Sequence, residues 1–146
     1  MPYIFFRAHI IEVNYLINTY LGKLTNLFNE EHMKNIQLTA RFKIHPGKEQ
    51  AFKELAAACM ACVKEKDTNT LQYDWYFSND SSECMVRETY TDSDAILAHV
   101  ANLGPLFGQF LELAEFTPEI YGNPSDTLLA AVSAFNPKVY SFYQGL

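Results

Sequence analysis

Glu88, Tyr90 and His99 are the residues whose types and spacing best suit proton transfer. Glu88 and Tyr90 stand two apart in a β-rich stretch, so they share one face of a strand. His99 recurs with Ala95, Ile96, Val100 and Leu103 at helical spacing, which turns the imidazole towards the interior that this strand faces. A buried imidazole needs a hydrogen-bond partner, and the same position also reads as a satisfied core histidine. Tyr73, Trp75 and Phe77 share one face of the preceding strand, as an aromatic core or as the wall of a pocket for a flat ring. Cys59-Met60-Ala61-Cys62 matches Cys-x-x-Cys but lies deep in a helix, away from the N-terminus where a thiolate is stabilised, so both read as buried helix cysteines. His45 falls in a turn and His9 and His32 outside the patterned body, as surface residues. Arg41 and Arg87 alternate to the polar faces of their strands and suit a bridge between two copies better than an anion site.

The elements that must position these groups follow from periodicity. Ile36 to Ile44 alternates apolar and polar residues, the pattern of a strand with one buried face, and His45-Pro46-Gly47 ends it. Phe52, Leu55, Ala56, Cys59 and Val63 then specify a helix from Gly47 to Lys66, broken by the polar Asp67-Thr68-Asn69-Thr70. Leu71 to Ser78 and Glu83 to Thr91 flank Asn79-Asp80-Ser81-Ser82 as a hairpin. A second helix starts after Asp92 or Ser93 as N-cap, Gly104-Pro105 interrupts it, and a further helical segment runs to Glu112. A strand from Phe116 to Tyr121 completes β-α-β-β-α-β. This is an α+β, ferredoxin-like order, with helices on one face of an antiparallel sheet. The other face is economically covered by a second copy, which predicts a homodimer. Residues 125–146 hold a short helix and a strand expected to pack on that partner.

Composition bounds the rest. A chain of 146 residues with 49% apolar and 14% aromatic content fits one core. The net charge of −6, with 11 scattered Lys and Arg, argues against nucleic acid as a partner. Three cysteines and no secretory pattern point to a reducing, cytoplasmic setting. No apolar run approaches the roughly 18 residues of a membrane span. No Gly-rich phosphate loop, dinucleotide fingerprint or His-x-x-x-His pair signals a nucleotide, flavin or metal, so the expectation is no cofactor and no metal.

Residues 1–34 stand apart from the body at 35–124 as an N-terminal extension. Glu30-Glu31-His32-Met33 could be encoded by a purine-rich ribosome-binding stretch ahead of a start codon, which would make Met33 the true start. Equally, Ile10, Val13, Ile17, Tyr20, Leu21, Leu24 and Phe28 recur as an amphipathic helix.

The pattern Glu88-x-Tyr90-x-Asp92 followed by Ala95 and His99, with Tyr73 before it and Pro46-Gly47-Lys48-Glu49 opening the first helix, resembles the antibiotic biosynthesis monooxygenase family over Ile36 to Tyr121. The resemblance implies a dimeric α+β barrel with a pocket between sheet and helices in each subunit. It also implies oxidation of a quinol, anthrone or related phenol by molecular oxygen without flavin or metal. On this reading His99 is the base, Glu88 and Tyr90 share in the proton transfer, and Tyr73, Trp75, Tyr90 and Phe107 build an aromatic pocket. Tyr90 stands where many relatives carry Trp, so a phenol replaces that indole. Relatives that degrade haem use an Asn where this chain has Ala40, which counts against that activity. The contrasting expectations are a non-catalytic dimer binding a small aromatic or lipid-like ligand, and a cofactor-free isomerase.

Overall fold

A computed structural model describes residues 13–27 and 34–145, and divides the chain into two units, Met1–Met33 and Lys34–Leu146. In the first unit residues 13–27 are helical. Ile10, Phe28 and the start-site reading of Met33 lie outside the described residues.

The second unit begins with β1 (Ile36–Ile44), whose alternation buries Ile36, Leu38, Ala40, Phe42 and Ile44 on one face. Helix α1 (Glu49–Lys66) follows and buries the expected stripe of Phe52, Leu55, Ala56, Cys59 and Val63. It starts at Glu49 rather than Gly47, because Gly47 has a φ of 80° and lies in the turn. The hairpin is β2 (Thr70–Phe77) and β3 (Glu83–Tyr90). Helix α2 (Ser93–Leu103) opens on Asp92, whose Oδ1 accepts from the Ala95 N–H at 2.9 Å. Gly104, with φ 49° and ψ −123°, turns the chain into α3 (Pro105–Leu113), where Pro105 occupies the first turn and loses no helical hydrogen bond. Strand β4 (Ala114–Tyr121), α4 (Asp126–Val132), a 3-10 turn (Ser133–Phe135) and β5 (Lys138–Tyr140) complete the unit.

The strands form one open sheet in the order β2-β3-β1-β4-β5. The first four pair antiparallel, which is the ferredoxin-like α+β arrangement expected, and β5 adds in parallel to β4. Within this chain the tail joins the sheet through β5, beside β4. Tyr140 stacks on Tyr121 at 5.2 Å and Leu128 is fully buried. Only Val100 departs from the predicted α2 stripe, at 40% exposure.

One apolar layer between sheet and helices holds the unit together. Phe52 and Phe110 are essentially inaccessible and meet edge-on at 4.9 Å, with Phe42 packed against both. Each such ring, fully buried, contributes about 1.5–3 kcal/mol.

Candidate functional site

Register decides which side chains meet. Glu88 lies opposite Leu38 of β1 and Tyr73 of β2, in the middle of the helix-facing side of the sheet. Tyr90, two residues on, lies opposite Ile36 and Thr70 on the same side. Helix α2 then lays His99 over them: its ring centroid is 5.1 Å from that of Tyr73 and 5.4 Å from that of Tyr90. The three residues expected to handle a proton are thus brought together.

Glu88 and His99 border a cavity of about 270 Å³ between sheet and helices. Leu38, Phe42, Trp75, Phe110 and Phe116 supply much of its wall, and Phe107 and Phe135 line it as well. Tyr73, Glu88 and His99 are the titratable side chains in this lining. Tyr90 is not part of it: the phenol is wholly buried behind Glu88, to which its hydroxyl donates a hydrogen bond. Its expected place in the pocket wall is corrected accordingly. The physical reason is its position at the end of β3, opposite Ile36, where it fills the core. Trp75 lines the cavity and has its indole N–H buried without a partner among the described residues.

Burial sets the protonation states. Desolvation, only partly offset by the Tyr90 hydrogen bond and reinforced by the Asp67 charge, pushes the Glu88 carboxyl up to about 8, so it is a neutral acid at pH 7. Desolvation likewise lowers His99, against the opposing pull of Asp67, and leaves the imidazole neutral. Burial first, and the neighbouring Glu88 next, push the Tyr73 and Tyr90 phenols far up, so both stay protonated.

Asp67 is the residue that sequence reasoning missed. It caps the end of α1, its N–H bonding the Val63 carbonyl, and its Oδ2 lies 2.7 Å from His99 Nδ1. Thr70 donates to the same oxygen at 2.7 Å and Asn102 to Oδ1 at 2.8 Å. Burial would raise this carboxyl, but the hydrogen bonds from Asn102, His99 and Thr70 outweigh it and hold it below the usual range. In sequence Asp67 looked like a helix breaker in a polar turn. The one available signal was that a buried histidine on α2 required a partner.

Cys59 is buried in α1 as read, whereas Cys62 is only partly buried. Burial, then Cys62, push the Cys59 thiol up to about 12, and Cys62 donates through Sγ to the Asn102 carbonyl at 3.2 Å. Arg41 reaches Glu119 of its own chain at 3.7 Å. Among the described residues no group of three or more His, Cys, Asp or Glu is arranged to hold a metal ion. No helix among them is long and apolar enough to cross a membrane.

The family described as Antibiotic biosynthesis monooxygenase matches residues 36–113, more than half of the chain. The chain belongs to this family. No curated protein matches the sequence significantly. Solved structures share the fold of this antibiotic biosynthesis monooxygenase relative at low identity. MupZ from Pseudomonas fluorescens has a TM-score of 0.70 at 22% identity, over 77% of this chain and 93% of its own. Rv0793 from Mycobacterium tuberculosis gives 0.55 at 22%, over 63% and 97%. SnoaB, a cofactor-independent oxygenase from Streptomyces nogalater solved as a point mutant, gives 0.54 at 17%, over 63% and 95%. At these identities the likeness shows the fold alone. The family match begins with β1 and ends with α3, so it contains Asp67, Tyr73, Glu88, Tyr90 and His99.

Proposed function

We propose that this chain is a cofactor-independent monooxygenase that oxidises a quinol, anthrone or similar phenol with molecular oxygen. The observation that carries the reading is a neutral imidazole and a neutral carboxylic acid lining one apolar cavity. Family membership and the description of SnoaB as a cofactor-independent oxygenase support it. A cavity of about 270 Å³ is near the lower end of ligand sites, roughly 300–1,000 Å³, and suits a compact fused-ring substrate.

In the proposed sequence His99 Nε2 takes a proton from the substrate, giving an electron-rich phenolate or enolate and an imidazolium. That anion passes one electron to oxygen, and the two radicals join through a new carbon–oxygen bond. The resulting peroxide anion takes a proton from Glu88. Its O–O bond then breaks as the carbon loses its remaining hydrogen to the regenerated carboxylate, leaving a carbonyl and hydroxide. Hydroxide takes the proton held on His99 and departs as water. One oxygen atom enters the product, the other leaves as water, and both side chains return to their starting state. Tyr73 and Trp75 position the ring, and the unpartnered indole N–H of Trp75 is a donor for a ligand oxygen.

The polar outer face of the sheet carries Arg41, Asp74 and Arg87, and Tyr76 is 55% exposed there. We take this face to be where two copies meet, with the body at 35–124 carrying the chemistry in a cytoplasmic homodimer. Sedimentation of the purified chain at twice the monomer mass would support that assembly.

Oxygen uptake by metal-free and flavin-free protein on a panel of reduced quinols and anthrones tests the activity. His99→Ala should lower it by roughly 10²–10⁴. Undiminished turnover in that variant would remove His99 from the mechanism. A second reading, a non-catalytic ligand-binding protein, is favoured by the fact that Asp67 already satisfies His99. It predicts that such compounds bind to wild type without oxygen uptake. An isomerase would form product with no uptake either.

A further inference from the structure

His99 separates two recesses of opposite character. On one side lies the apolar cavity, and on the other a polar recess of about 420 Å³ bordered by Asp67, Asn69, Thr70, Asp92, Asp94 and Asn102. His99 borders both, whereas Asp67 borders the polar recess alone. The side chains of His99 and Asp67 are nearly inaccessible, at 5% and 4% exposure. Asp67 is held by donors on both oxygens: Thr70 and His99 on Oδ2, Asn102 on Oδ1. A carboxylate with three donors keeps one orientation and stays ionised. The ring nitrogen facing it must then carry the hydrogen, since an anion accepts only. No protein group pairs with the other nitrogen, Nε2, among the described residues.

We infer that Asp67 is a positioning residue for His99: it fixes the proton on Nδ1, leaves the Nε2 lone pair free towards the apolar cavity, and balances the imidazolium formed there. The inference rests on the reading of His99 as the base and adds the group that makes it one. A free imidazole slightly prefers its proton on Nε2, which would place a donor rather than an acceptor towards the substrate. Location matters as well. Glu88, inside the apolar cavity, is neutral, whereas Asp67 keeps its charge because the hydrogen bonds from Asn102, His99 and Thr70 outweigh its burial. The other titratable groups around the imidazole are Tyr73 on β2, Glu88 and Tyr90 on β3, Cys59 and Cys62 on α1, and Lys66, Asp92 and Asp94 at the recess. Among these and Asp67, only Asp67 is hydrogen-bonded to the ring.

Nitrogen-15 NMR of the full-length protein reads the assignment without any substrate. Wild type should show His99 with a protonated Nδ1 and a bare Nε2 near neutral pH. A protonated Nε2 would overturn the inference. In Asp67→Asn the His99 titration should move down by about one pH unit or more, because Asp67 opposes the burial that already disfavours imidazolium. An unmoved titration would also overturn it. With anthrone as the probe, Asp67→Asn should cut oxygen uptake by roughly tenfold or more and shift the acid limb of its pH profile downwards, and Asp67→Glu should restore part of both. An unshifted limb would reduce Asp67 to a structural role. The Nδ1-protonated form without uptake on any compound refutes the oxygenase reading and leaves the Asp67 assignment standing.

Discussion

Glu88→Gln keeps the shape of the side chain and an acceptor for the Tyr90 hydroxyl, and removes only the ability to ionise. In the folded chain burial pushes this carboxyl from the ordinary 4.5 to about 8. The unfolded chain keeps the ordinary value. Each unit of difference is worth about 1.4 kcal/mol, so the whole gap amounts to about 5 kcal/mol as an upper limit. The sign follows from which state holds the proton. Because the folded value is raised, the contribution is complete below 4.5 and is lost progressively as the pH rises to about 8. Asp67 and His99 are both lowered on folding, so their contributions are lost in the opposite direction, on acidification. A single profile mixes the three, whereas the difference between wild type and Glu88→Gln isolates one. Urea unfolding of both proteins from about pH 4.5 to above pH 8 should give a gap that moves steadily in favour of the Gln variant as the pH rises. Parallel profiles would refute the assignment of Glu88 as a neutral buried acid and, with it, as the proton donor to the peroxide.

Tyr90→Phe removes the hydroxyl whose hydrogen bond holds Glu88 down, so the carboxyl should titrate still higher, as followed by its infrared carbonyl band. Stability at neutral pH should fall by about 1–3 kcal/mol, because a buried acid loses a partner. Gly104→Ala should cost roughly 1–3 kcal/mol in urea unfolding, since φ 49° with ψ −123° is a conformation that a side chain strains. A cost near zero would mean that the α2–α3 junction relaxes.

The sheet and helices were legible because each buried face repeats at its own period. Ile36 to Ile44 alternates cleanly, and Phe52 to Val63 recurs by threes and fours. Glu88 was legible as an anomaly, a carboxylate on the apolar face of a strand. The tail strand was legible too, but its parallel pairing with β4 and the lining role of Phe135 were not, because Lys138–Tyr140 is only three residues long and exposed. Nor was the His99–Asp67 pair. Its members are 32 residues apart, and nothing local in Asp67-Thr68-Asn69-Thr70 distinguishes a carboxylate aimed under α2 from one facing water.

One physical cause prepares both halves of the candidate site. The desolvation that raises Glu88 is the same that lowers His99, so neither carries charge until a substrate supplies a proton to move. An apolar wall alone would leave the imidazole too weak a base and free to present either nitrogen. Asp67 corrects both faults, and it does so from outside the cavity, where its own charge is stabilised by Thr70 and Asn102. Had the carboxylate lined the apolar cavity, burial would have neutralised it as it does Glu88, and the counter-charge for imidazolium would be lost. In the proposed mechanism, the separation of a charged positioning group from the neutral Glu88 and His99, with the histidine bordering both recesses, is what would allow an apolar pocket in this fold to perform acid–base work.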